Sequence, residues 1–178
     1  MSIDNQVRAD EPQSAIETIM NRKSVRKYQD RQVEEEKISV LLKAGMAAPS
    51  GKDVRPWEFV VVADRGILNA MAEGLPYAKM LKNAPLAIVV CGNTEASSYW
   101  YVDCSTAAQN ILLAAEAQGL GAVWTAAYPY DDRMQLVSEQ LGLPDNIQAL
   151  CVIPVGYPLM PHNPRDKYDE SKIHTNKW

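Results

Sequence analysis

The chain has 178 residues, 47% of them hydrophobic and 22% charged, with a net charge of −4. That length allows one domain with its own core, and the acidity argues against a nucleic-acid binder, which needs a broad basic surface. The longest apolar runs are too short to span a bilayer, and the polar, acid-bearing start is unlike a signal peptide, so a cytoplasmic protein is expected.

Residues 1–13 read as a flexible polar lead-in to a single domain over residues 14–178. Ser14 is placed to cap a short helix with Ile16, Ile19 and Met20 on one face. Glu34, Glu35 and Glu36 open a second helix, where acids suit the positive end of the dipole. Its apolar stripe is Ile38, Leu41, Leu42 and Met46, and it stops before the turn signal Ala48-Pro49-Ser50-Gly51. Trp57 to Ala63 is a strand by its β-branched and aromatic content. A helix from Asp64 to Leu75 follows, then a helical piece broken at Ala84-Pro85. Leu86 to Cys91 reads as a second, buried strand. A long helix spans Tyr99 to Gln118, apolar on most faces and closed by Gly119. Gly121 to Tyr128 gives a third strand. Asp131 to Leu141 gives a helix stopped by Gly142 and Pro144, and Ile147 to Val155 a fourth strand. The tail from Gly156 is charged and Pro-rich, yet it holds Tyr157, Tyr168 and Trp178. Disordered tails usually lack such aromatics, so this one is expected to be ordered, with a second subunit as one support.

The three cysteines, Cys91, Cys104 and Cys151, each lie in an apolar segment and form no C-x-x-C pair. They are expected to be reduced, buried, small hydrophobes. The only histidines, His162 and His174, are both in the tail, so neither a Cys–His pair nor a zinc site is expected. No glycine-rich dinucleotide or P-loop fingerprint is present.

The stretch Asn21 to Tyr28 packs four cations and Ser24 into eight residues. Arg22 and Arg26 offer planar forks suited to a phosphate. On its own the stretch reads equally well as a solvated basic turn. Three further segments accompany it. Ala48 to Phe59 includes Pro49-Ser50-Gly51 and Arg55-Pro56-Trp57; Gly119 to Thr125 includes Gly121 and Trp124; Val155-Gly156-Tyr157-Pro158 leads into a tail with Arg165, Lys167 and Trp178. In this order and spacing the four segments resemble the nitroreductase family of FMN-dependent enzymes, from about Ala15 to Trp178.

The resemblance implies an α+β fold with a central, mostly antiparallel sheet flanked by helices. It also implies an intertwined homodimer with FMN at the interface and a C-terminal tail reaching the partner. Arg22, Lys23, Ser24, Arg26, Arg165 and Lys167 match the positions that hold the FMN phosphate. Arg26 is the candidate to approach the flavin pyrimidine; Lys79 is a second, though an exposed helix lysine is its plainer reading. Pro49, Ser50 and Gly51 resemble the segment that reaches the flavin ring from the partner. Trp124, Thr125 and Ala126 resemble the backbone segment beside flavin N5, and Trp124 reads equally as core packing. Two departures stand out. Asp53 and Arg55 occupy positions where many relatives carry Asn and Gln, which leaves an internal Asp–Arg pair open. Ala126 stands where some members carry an acid.

The activity so implied is NAD(P)H oxidation. NADH or NADPH delivers hydride to flavin N5, and a nitroaromatic, quinone or related planar acceptor then takes the electrons on the same face. The flavin carries the chemistry, so no side chain is assigned a catalytic role. Residues Leu75 to Leu81 and Tyr99 to Tyr101 are candidates for the acceptor pocket. Two rivals stand beside this reading: a non-catalytic FMN-binding or storage protein, and a specialised flavin reductase or dehalogenase-type relative.

Overall fold

The structure, a computed structural model, describes residues 14–161 and 163–178. The lead-in expected at 1–13 and His162 lie outside the described residues. The strands are β1 (Trp57–Val62), β2 (Leu86–Asn93), β3 (Gly121–Ala122), β4 (Thr125–Ala126) and β5 (Ile147–Gly156). They form one sheet in the order β1-β2-β5-β3, with β4 also on β5, and every pairing is antiparallel. The helices are α1 (Ala15–Asn21), α2 (Glu35–Met46), α3 (Arg65–Gly74), α4 (Trp100–Ala117) and α5 (Asp131–Leu141). The expected α+β class is observed.

Both sheet faces are covered, which is why β2 and β5 read as unbroken apolar runs rather than alternating ones. On β2, Leu86, Ile88 and Val90 pack with β5 residues Ile153 and Val155 against α2 and α4, around Leu41, Ala107 and Ile111. Ala87, Val89 and Cys91 face the other way, with Val152, toward Leu68, Met71 and Val137 of α3 and α5. Val90 pairs with Cys151 and Cys91 with Ala149, so Leu150 is an extra residue that makes a bulge in β5 opposite the middle of β2.

Local signals set the helix ends. Ser14 and Glu17 complete a capping box on α1, Asp64 caps α3, and Gly142 ends α5 at φ 64°. Three expectations need correction. The strand expected at Gly121 to Tyr128 is two short strands, β3 and β4. Their pairs with β5 keep a single register, Gly121 with Gly156 through Ala126 with Cys151. In that register Val123 stands opposite Pro154, which has no N–H to give. The Pro154 carbonyl instead accepts the Tyr28 hydroxyl at 3.2 Å. The second correction concerns α1: Ile16, Ile19 and Met20 are 69%, 49% and 66% exposed, and only Thr18 of that helix is buried. Third, Met46 of the expected α2 stripe is exposed, whereas Leu41 is fully buried.

Candidate functional site

The cationic segment is held in place by its apolar members. Val25 is buried under β3, and a Cβ added to Gly121 would stand 2.6 Å from the Val25 Cβ. Glycine permits this close approach. The Val25 N–H donates to the Ala122 carbonyl at 3.0 Å, and Ser24 bridges Ala122 in parallel. Tyr28 is also buried and donates its hydroxyl to the Val25 carbonyl at 2.7 Å. Burial pushes its phenol well above the ordinary range. With Val25 and Tyr28 facing inward, Ser24 and Arg26 remain exposed on the outer side.

All six residues expected to hold a phosphate line one hollow of about 410 Å³: Arg22, Lys23, Ser24, Arg26, Arg165 and Lys167. Asn163 joins them. Lys23 is committed elsewhere, with Nζ 2.7 Å from Glu116 Oε1 on α4. Arg22, Arg26, Arg165 and Lys167 make no ion pair with any described residue. Among the described residues, no acidic side chain lines the hollow. Uncompensated cations around one small space repel one another, and a phosphate dianion relieves that repulsion. The donor set therefore fits the phosphate of FMN.

Arg26 also lines a second hollow, of about 560 Å³. Trp124, Thr125 and Ala126 wall one part of it; Tyr77, Lys79 and Met80 come from the segment after α3, and Tyr130 and Arg133 from the start of α5. A charged end and an aromatic-walled end thus share one arginine. Thr125 donates its hydroxyl into the sheet, to the Val152 carbonyl at 2.6 Å. Lys79 Nζ donates to the Glu73 carbonyl at 2.9 Å. Of the acceptor-pocket candidates, Tyr77, Lys79 and Met80 line this hollow, whereas Tyr99, Trp100 and Tyr101 line neither. Tyr101 stacks on Tyr128 at 5.3 Å, and Trp100 meets that ring edge-on at 5.0 Å.

Pro49, Ser50, Gly51 and Arg55 stand apart from both hollows of their own chain. Their turn is fastened to α4. Buried Asp103 accepts the Gly51 N–H at 2.9 Å, and Thr106 donates to the Pro49 carbonyl at 3.0 Å. Lys52, Asp53 and Arg55 adopt left-handed φ values of 53°, 57° and 52°, which cost about 1–3 kcal/mol each. Arg55 grips Asp53 with Nε to Oδ1 at 2.7 Å and Nη2 to Oδ2 at 2.5 Å. That hydrogen bonding holds the Asp53 carboxyl below its usual range. The two charges that depart from the family pattern therefore satisfy each other.

The three cysteines are free and buried. Burial raises Cys91 and Cys104 to about 12 and Cys151 well above the ordinary thiol value, so none supplies a thiolate at neutral pH. Among the described residues no helix is long and apolar enough to cross a membrane.

Sequence reasoning missed Asn163, Asp103, Tyr130 and Arg133. Asp103 had a signal, a carboxylate on the same stripe as Trp100 and Ala107 in an apolar helix. Arg133 had none, since it follows two aspartates at the start of a half-exposed helix.

Known proteins resemble this chain in sequence and fold. The model of the Nitroreductase family matches residues 19–79 and 68–157. A protein of Methanothermobacter thermautotrophicus named "Putative NADH dehydrogenase/NAD(P)H nitroreductase" is 46% identical over 166 residues, covering 92% of this chain and 87% of its own. A crystal structure of a protein of the same name from Bacteroides thetaiotaomicron is 63% identical. It superposes with a TM-score of 0.92 over 92% of this chain and 98% of its own. An FMN-dependent nitroreductase from Clostridium difficile is 34% identical with a TM-score of 0.87, covering 92% and 99%.

Proposed function

The chain belongs to the nitroreductase family, and on that premise we propose an FMN-dependent NAD(P)H oxidoreductase that reduces small planar acceptors such as nitroaromatics and quinones. The observation that carries the reading is Arg26, common to a cationic hollow and an aromatic-walled one. FMN has the same two ends, a phosphate and a planar ring.

In this reading Arg22, Arg165 and Lys167 hold the phosphate, Ser24 adds a neutral hydrogen bond, and Lys23 ties the segment to α4 through Glu116. Arg26 and Lys79 favour negative charge at the pyrimidine end of the ring. Trp124, Thr125 and Ala126 offer backbone groups along the ring edge. Ala126 brings no acid, so protons come from solvent. Bound FMN would supply the two-electron chemistry, accepting hydride at N5.

Pro49, Ser50, Gly51 and Arg55 belong, in this reading, to the flavin site of a second subunit. Their rigid fastening at a distance from their own hollow supports it. The tail supports it too, with Trp178 99% exposed on the single chain. Residues 14–178 then act as one FMN-binding domain. The free thiols suit a reducing cytoplasm.

The purified protein should show a flavin absorbance spectrum that bleaches on anaerobic addition of NADH or NADPH. Bound flavin that stays oxidised would favour the storage reading. No flavin after incubation with FMN would overturn both.

A further inference from the structure

Arg133 sits in a setting that its helix does not explain. It stands in the first turn of α5, where a cation opposes the helix dipole. Its guanidinium carbon lies 3.7 Å from the Tyr130 ring centroid and 5.4 Å from that of Tyr77. Aromatic faces stabilise the charge, but they satisfy none of the five N–H donors of a guanidinium. Nη1 reaches only the Ala126 carbonyl, at 3.5 Å, the edge of hydrogen-bond range. Nε is buried without a partner, the one such side-chain atom among the described residues. No described acid lies within ion-pair range of Arg133.

Arg65 shows what an arginine with a structural task looks like in this fold. Its Nη atoms donate to the carbonyls of Leu81 at 2.8 Å, Lys82 at 3.1 Å and Ala84 at 2.6 Å. Arg133 has the opposite arrangement: two rings lie beside its guanidinium, and apart from the long Nη1 contact no described residue takes its N–H groups. It shares the hollow with Arg26 and Lys79, and among the described residues no carboxylate lines that space.

We propose that Arg133, gripped between Tyr77 and Tyr130, reads an anionic group, a carboxylate or phosphate, on the small molecule that enters this hollow. The proposal rests on the oxidoreductase reading for its choice of ligand: the group belongs to the electron acceptor or to the nicotinamide donor. An arginine held in plane binds either anion with two parallel N–H bonds at little ordering cost. A neutral ligand of the same shape would leave those donors dry and unpaired, so the site discriminates by charge as well as by fit.

The test uses the flavin-loaded protein and two probe pairs, each differing by an anion: 4-nitrobenzoate against 4-nitrobenzamide, and NADP+ against NAD+. Calorimetric Kd values are compared for the wild type, Arg133→Met and Arg133→Gln, the last being decisive if the Met variant does not fold. The wild type should prefer the anionic member of one pair, and each substitution should cut that preference about tenfold, as the loss of a charge-assisted hydrogen bond does. A fall confined to the first pair puts the anion on the acceptor; a fall confined to the second puts it on the ribose 2′-phosphate of the donor. Preferences that are the same in all three proteins for both pairs overturn the proposal. Bleaching of the wild-type flavin by NADH reports separately on the enzymatic reading. A flavin that stays oxidised beside an Arg133-dependent preference would sink that reading and leave the anion site standing.

Discussion

Arg22 and Lys23 are neighbours in sequence with different tasks. Lys23 is neutralised by Glu116, with side chains only 23% and 11% exposed, whereas Arg22 faces the cationic hollow without an acidic partner among the described residues. Removing a charged hydrogen-bond donor to a bound phosphate costs about 1.5–3 kcal/mol. Arg22→Ala and Arg26→Ala should therefore each weaken FMN binding by roughly 10–100-fold, read by flavin fluorescence titration, while the melting temperature of the flavin-free protein stays put. Unchanged occupancy in both variants would count against the phosphate assignment. Arg26→Ala should in addition shift the flavin reduction potential, because Arg26 lines both hollows. The cluster Arg22, Lys23, Arg26 and Lys27 was legible in the sequence because it sits within six residues. The pairing of Lys23 was not, because its partner lies 93 residues away.

Polar clamps join elements in addition to packing. The clearest ties the start of α2 to the end of β5. Tyr157 donates its hydroxyl to Glu34 Oε2 at 2.6 Å, Arg31 donates to Oε1 at 2.7 Å, and the Arg31 guanidinium lies 3.8 Å over the Tyr157 ring. Hydrogen bonding from Tyr157, then the backbone and Arg31, lowers the Glu34 carboxyl from 4.5 to about 2. A carboxyl with a depressed folded-state pKa stabilises the fold above its unfolded value, and that stabilisation disappears as the folded value is approached. The melting-temperature advantage of the wild type over Glu34→Gln should thus be complete above pH 4.5 and fade toward pH 2. An advantage that is constant across that window would show the clamp to be uncharged in effect. Element boundaries were largely readable, because caps and stops are local: α5 runs from Asp131 to Leu141 as its flanking signals require. The division of β3 from β4 escaped notice because its cause, Pro154, lies on another strand. The outward face of α1 escaped for a similar reason. Periodicity tells that Ile16, Ile19 and Met20 share a side, not what covers it.

On the scale of the whole molecule, that uncovered side leaves three large apolar side chains facing solvent. Ile19 borders an apolar groove lined by Ala44, Ala47, Leu113 and Ala117, with Ile16 and Met20 exposed on the same short helix. Fully covering a side chain of this size is worth about 1.5–3 kcal/mol, so a second subunit seated on this face would gain from it. Sedimentation velocity should give a dimer for the wild type, and Ile19→Glu should shift it toward monomer with loss of bound FMN. A wild-type monomer that keeps its flavin would contradict a site shared between subunits. One further consequence follows from β5, which joins β2 to β3 and β4 and lies late in the chain. During synthesis β1 and β2 leave the ribosome first, and the apolar second edge of β2 stays bare until residues 147–156 arrive to cover it. The wall at Trp124 to Ala126 hangs on that same late strand, and Arg165 and Lys167 emerge later still. On the proposed site, a nascent chain would have no place to hold a flavin and the cofactor would meet a finished fold, and a translation stall after β2 leaves a sticky strand edge for chaperones to guard.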